Sequence, residues 1–187
     1  MNDLLDKAHS LCAKGQKLDA LTLCLLKAED GDIACARLVG WIYSTGGVSV
    51  EKDTREAQRW LTVASDSGDA LATYLLGTVL FERGESTAAM EQFRRAGEEG
   101  VSAGLFQLGK MYELGSGVDK DAERAYECYR QSASMGHIFA RRRVASMLIG
   151  GHRGVAGRLV GIPMLLVAIV LGTRTAVADP YGERTFD

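Results

Sequence analysis

Apolar positions along most of this chain return every third or fourth residue, the period of a helix with one buried face. Four stretches repeat one pattern: ARLVGWIYSTGG (36–47), TYLLGTVLFERG (73–84), LFQLGKMYELGSG (105–117) and RRRVASMLIGG (141–151). Each follows directly on a small residue (Cys35, Ala72, Gly104, Ala140) and carries Val39, Leu76, Leu108 or Val144, then Gly40, Gly77, Gly109 or Ala145, then Tyr43, Leu80, Tyr112 or Leu148. These positions fall on one helical face. A second helix is predicted after each of the first three, at AQRWLTVASDSG (57–68), AMEQFRRAGEEG (89–100) and AYECYRQSASMG (125–136), each closing on a glycine suited to a left-handed C-cap. LTLCLLKAEDG (21–31) fits the same template, which makes DLLDKAHSLCAKG (3–15) its first helix.

The repeat predicts helix pairs that cannot bury their apolar faces alone and therefore stack into a curved α-solenoid. Four pairs are largely complete, and the last first-helix lacks an obvious polar partner. The glycines at 40, 77 and 109 are expected where two antiparallel helices approach too closely for a bulky side chain.

The pattern resembles the Sel-one-like repeat family, a relative of tetratricopeptide repeats. GLFQLGKMYELGSGVDKDAERAYECYRQSASMG (104–136) is the fullest match, and 35–68 follows it with Val39-Gly40 in place of Leu-Gly and one extra residue in STGGVSVEKD. The units at 3–31 and 72–100 lack the G-x-G-V-x-x-D insertion and look like tetratricopeptide units with tight KGQ and RGE turns. The resemblance covers residues 3 to about 150. It implies an all-α solenoid of about four repeats and a non-catalytic adaptor that holds other proteins, often at cell envelopes. It names no partner.

Charge is unevenly distributed. Residues 1–136 carry 15 Lys+Arg against 21 Asp+Glu, whereas 137–158 carry five Arg and no acid. An acidic body without a Lys/Arg stripe interleaved with aromatics lacks the footprint of phosphate-backbone binding, so nucleic acid is not an expected partner. Cys12, Cys24, Cys35 and Cys128 show no CxxC or Cys/His ligand spacing, and MNDLLDKAH has neither a basic nor an apolar leader region. Free thiols fit a main domain in the reducing cytosol.

Chemistry is sparse. His9, His137 and His152 share no helical face with another His or Cys, so no metal is expected. Cys24 and Cys128 read as occupants of the slot that Trp60 fills in its own repeat, and Cys35 as a small core residue. The carboxylates of KAEDGD, GEEG and VDKDAER lie at helix ends and turns, where water solvates them, and STGGVS and ELGSGVDKD lack the Lys-Ser/Thr of a phosphate loop. No catalytic residue and no cofactor are predicted. The face that the first helices should present carries Arg37 and Trp41, Tyr74 and Thr78, Phe106 and Lys110, and Arg141 and Ser146. Aromatics flanked by cations are the anchors of protein interfaces, although these rings could equally pack against the next repeat.

The run LVGIPMLLVAIVLG (159–172) has no polar face at any period. Between Arg158 and Arg174 lie 15 uncharged residues, roughly 22 Å of helix against a hydrocarbon core of about 30 Å. The apolar flanks GVAG and TAVA lengthen the span if both arginines snorkel. Five arginines precede the run and two follow it beside three acids, a bias that puts the repeats in the cytoplasm. Pro163 fits the first turn of such a helix. The reading is a solenoid domain over 1–150, a basic linker and C-terminal transmembrane helix over 151–178 with its core at 159–173, and a polar tail over 179–187 on the far side. The expected function is a scaffold tethered to a bacterial inner membrane, assembling or regulating an envelope or surface-polysaccharide complex with a membrane protein or membrane-associated enzyme. The alternative is a wholly soluble repeat adaptor that regulates an enzyme or signalling pathway and whose last apolar helix is buried or pairs with another copy in a homo-oligomer.

Overall fold

The computed structural model describes residues 3–151 and 159–167, and every regular element among them is a helix. In chain order these are α1 (Asp3–Ala13), α2 (Lys17–Glu29), α3 (Ile33–Thr45), α4 (Thr54–Asp66), α5 (Ala70–Glu82), α6 (Ser86–Glu98), α7 (Ser102–Leu114), α8 (Ala122–Ser134) and α9 (Ile138–Ile149). A further helix, α10, is described over 159–167. From α1 to α9 each helix packs on its chain neighbours, and α3 also meets α5 directly. The first helices thus form one side of the stack and the second helices the other, as a solenoid requires.

Boundaries follow from cap chemistry. Asp32, Asp53, Asp69 and Asp121 sit before α3, α4, α5 and α8, and each carboxylate accepts backbone N–H bonds of the first turn. These satisfy donors the helix cannot. His137 does the same for α9, its Nδ1 accepting from the Ala140 N–H at 3.1 Å. Gly31, Gly68, Gly100 and Gly136, the predicted helix stops, all have positive φ. The KGQ and RGE turns are tight, whereas residues 46–53 and 115–121 form the longer connections.

Glycine sits where the sequence expects close approach. An ideal Cβ on Gly40 would stand 2.6 Å from Leu61 Cγ, one on Gly77 2.8 Å from the Phe93 ring, and one on Gly109 2.7 Å from Tyr129 Cε1. Aligning the tight turns (14–16 on 83–85) makes Ala8 the counterpart of Gly77 and Cys24 that of Phe93; Ala8 and Cys24 are both fully buried. Each joint therefore fits one small residue to one partner of matching bulk. This corrects the expected slot of Cys24: by alignment it takes the place of Leu61, Phe93 and Tyr129, and only Cys128 shares the place of Trp60.

Consecutive repeats are joined by pairs that differ from joint to joint. Arg37 on α3 donates to Asp69, the cap of α5, and both side chains are largely shielded. The corresponding positions at the next joint hold Tyr74 and Val101, and Val101 makes no side-chain cap. At the third, Phe106 stacks on His137 with centroids 4.6 Å apart. On the second-helix side, Arg95 on α6 donates to the Ser65 carbonyl of α4 at 2.8 Å, and within the last full pair the Ser132 hydroxyl of α8 donates to the Ser102 carbonyl of α7 at 2.7 Å.

Helix α10 takes the second-helix place beside α9. An added Cβ on Gly161 would lie 2.9 Å from the Ala145 carbonyl and 3.0 Å from Leu148 Cβ, and Met164 packs on the cluster built around Phe106 and Tyr129. The rest of α10 is apolar and uncovered: Leu159, Val160, Ile162, Leu166 and Val167 are 55% to 73% exposed. No helix of the described residues is long and apolar enough to cross a membrane. The expected linker 152–158, the apolar run past 167 and the tail 179–187 lie outside the described residues.

Candidate functional site

The side chains singled out on the first helices separate into a buried and an accessible set. Tyr74 and Phe106 are 7% and 5% exposed. Tyr74 packs on Phe93 at 5.9 Å, and Phe106 lies among Tyr129, His137 and Phe139 at 5.5, 4.6 and 6.4 Å. Of the two outcomes open to these rings, packing within the stack is the one observed. Arg37 is committed to Asp69. Trp41, Thr78 and Lys110, each nine residues after its cap position, are half-buried along the first-helix side. Trp41 lies under the Lys17 ammonium at 4.8 Å, a cation–π contact in which Lys17 also donates to Thr45 Oγ1 at 2.8 Å and the Gly46 carbonyl at 2.6 Å. Thr78 donates to the Tyr74 carbonyl at 3.2 Å.

Arg141 does not hold the place of Arg37. Counted from the caps, Arg37, Tyr74 and Phe106 stand five residues after 32, 69 and 101, and five after His137 is Arg142. Arg142 is exposed, while Arg141 turns back so that its Nε donates to the Ala133 carbonyl at 3.3 Å. Phe139, 40% exposed, and Leu114, 64% exposed, were likewise missed. The signal was the spacing, and the cap and the glycine slot agree on it: Arg142 is five after His137 and three before Ala145, as Arg37 is five after Asp32 and three before Gly40.

These residues converge at the α7–α9 end. Lys110 Nζ lies 6.0 Å from the Phe106 ring, and Phe106 backs the exposed ring of Phe139. Beside them Glu113 accepts the Tyr129 hydroxyl at 2.6 Å and pairs with Arg143 at 3.3 Å. Burial, and then the Glu113 carboxylate, push the Tyr129 phenol above its ordinary value, so it stays a donor. The surface offers cations and an aromatic but no acid–base pair or nucleophile poised for chemistry.

The thiols are passive. Burial first, then the neighbouring Cys35 thiol, push Cys24 up to about 12, and burial pushes Cys128 up to about 11. Thiols held protonated are poor nucleophiles and poor metal ligands. No group of three or more metal-ligating side chains occurs among the described residues.

Comparison with known proteins agrees with this architecture. The Sel1 repeat model matches residues 33–69 and 102–137. The chain is 34% identical over 121 residues to the chitin synthase regulator SKT5 of Saccharomyces cerevisiae, covering 61% of this chain and 17% of that protein. It is 34% identical over 142 residues to the DAP3-binding cell death enhancer 1 of Rattus norvegicus, covering 74% of this chain and 28% of that protein. It thus spans well under a third of either relative. Among solved structures, the Sel1 repeat protein of Oxalobacter formigenes superposes with a TM-score of 0.69 at 25% identity, covering 87% of this chain and 71% of that one.

Proposed function

This chain belongs to the Sel1 repeat family, whose members are protein-interaction scaffolds, and we propose that it is a non-catalytic adaptor held at a bacterial inner membrane, gripping a membrane-associated enzyme through its first-helix side. The observation that carries the reading is the row of Trp41, Thr78 and Lys110, which repeats once per helix pair on one side of the stack and ends beside Phe139 and Arg142. One stack thereby presents an extended surface to a single partner. A polysaccharide synthase is the preferred partner class, since the yeast relative is named a regulator of chitin synthase.

Support for the tether comes from the five uncovered apolar side chains of α10 and the arginine bias on its N-terminal side. A soluble adaptor is the second reading, favoured by one observation: Gly161 and Met164 seat α10 against α9 as a closing helix. Centrifugation of lysed cells followed by alkaline carbonate separates the two. Full-length protein that stays in the carbonate-washed pellet supports the tether, and protein found in the supernatant refutes it. Capture from detergent-solubilised membranes tests the scaffold: Trp41→Ala with Lys110→Ala should lose the captured partner while helicity is kept. Unchanged capture would remove the first-helix side as the binding face.

A further inference from the structure

We propose that the surface formed by Lys110, Phe139 and Arg142 docks an acidic segment of the partner protein, one that places an apolar side chain among its carboxylates. The inference rests on the scaffold reading and adds the chemistry of the partner. Three observations carry it.

Most basic side chains ahead of α9 are already neutralised. Arg37 is matched by Asp69, Lys52 by Glu82 at 2.7 Å, Arg95 by Glu99 at 2.9 Å and Arg130 by Glu127 at 2.6 Å. Lys110 and Arg142 have no ion-pair partner among the described residues, and α9 has three consecutive arginines and no acid. Glu113, the carboxylate that projects nearby, is consumed by Tyr129 and Arg143. A surplus of positive charge thus stands at one end of an otherwise acidic stack.

The second observation is the aromatic anchor. Phe139 is two-fifths exposed, yet its inner edge rests on Phe106, which is itself stacked on His137. A ring fixed from behind loses little freedom on binding, which is how few aromatic residues come to dominate an interface. Leu114 extends the apolar area from the last turn of α7.

The third is shape. The site lies where α7 and α9 face the same side of the stack, bridged by the Glu113–Arg143 pair. One segment laid across this side can therefore touch both helices. Guanidinium and ammonium groups spaced around a ring favour carboxylates flanking an apolar residue.

Fluorescence anisotropy on the full-length chain in nonionic detergent tests this with a labelled glutamate-rich peptide carrying one central phenylalanine, a lysine-for-glutamate counterpart, and a serine-for-phenylalanine counterpart. The acidic peptide should bind with an affinity that falls as salt rises, and both counterparts should bind weakly. Lys110→Glu with Arg142→Glu, and separately Phe139→Ser, should each weaken binding at least about tenfold, or about 1.4 kcal/mol. Arg59→Glu with Arg94→Glu on the outer helices should leave it unchanged, and circular dichroism should report full helicity throughout. The proposal is overturned if the inner reversal leaves affinity intact or if the lysine peptide binds as well. It is also overturned if phosphatidylglycerol vesicles, and not the peptide, respond to the reversal, which would make the patch a lipid contact. Capture of the cellular partner that survives the inner reversal defeats the acidic assignment alone and leaves the scaffold standing.

Discussion

Replacing Gly109 by alanine sets two effects against each other in the middle of α7. Alanine is the better helix former by about 1 kcal/mol. Against this, the new methyl would stand 2.7, 2.8 and 3.2 Å from three ring carbons of Tyr129, where carbon atoms prefer about 3.5–4.0 Å. The ring has little room to retreat: Phe106 lies at 5.5 Å, and its hydroxyl is tied at 2.6 Å to Glu113, which also holds Arg143. Overpacking of this kind costs about 1–3 kcal/mol, and breaking a bond to a charged acceptor adds about 1.5–3 kcal/mol if the ring is displaced. After subtracting the propensity gain, Gly109→Ala should lose about 0–2 kcal/mol if the ring holds its place and about 1.5–5 kcal/mol if it gives up the bond to Glu113. Urea unfolding followed by circular dichroism reads this as a lower midpoint, with the transition broadened if the last repeats melt first. The first repeat supplies the compensating arrangement, an alanine opposite a small side chain at Ala8 and Cys24. Tyr129→Cys added to Gly109→Ala should therefore be less harmful than the two single losses summed, with a coupling of at least about 1 kcal/mol in a double-mutant cycle. A stabilised single variant, or strict additivity, would show that α7 and α8 do not touch as described.

Asp69 both caps α5 and holds Arg37. Asp69→Asn should keep most of the cap yet lose the charge pair, costing about 1–2 kcal/mol, and Asp69→Ala should cost about 1 kcal/mol more; equal thermal midpoints for the two would argue that the cap is immaterial. Gly46 has φ of 56° and its Cβ position lies 2.9 Å from the Lys52 amide nitrogen, so Gly46→Ala should destabilise the 46–53 connection and raise its proteolysis, read by limited trypsin digestion. Because the folded state holds the Cys24 proton up to about 12 against an ordinary 9.0, the unfolded chain releases it first as pH rises. The stability associated with that thiol is present below pH 9 and falls between about 9 and 12, so the loss of stability across that range should be smaller in Cys24→Ala.

The helix pairs could be read in the sequence because their signals are local: an aspartate cap, a glycine stop, and a three-to-four period between them. Gly40, Gly77 and Gly109 even announced the close approaches. The surface was less legible. Tyr74 and Phe106 occupy positions that face a neighbour or the solvent according to the tilt between repeats, and periodicity within one helix does not encode that tilt. Arg141 and Arg142 differ by one residue and by about 100° around the helix, so a slip of one position in a run of three arginines chose the one that turns inward. Helix α10 lacks a polar face, and the seat of Gly161 on α9 emerges only once both helices are placed.

The unlike joints between repeats also give each unit an address. Arg37 answers Asp69, Tyr74 stands where Val101 lies ahead, and Phe106 answers His137. A unit docked one place out of order would leave a shielded guanidinium opposite a valine or an imidazole, a desolvation cost of several kcal/mol with no carboxylate to offset it. Identical units could exchange between molecules or slip along the stack during folding, and these cannot do so freely. Lengthening this protein by copying an internal repeat would therefore mismatch one joint, so its reach along a partner is fixed by chemistry as well as by length.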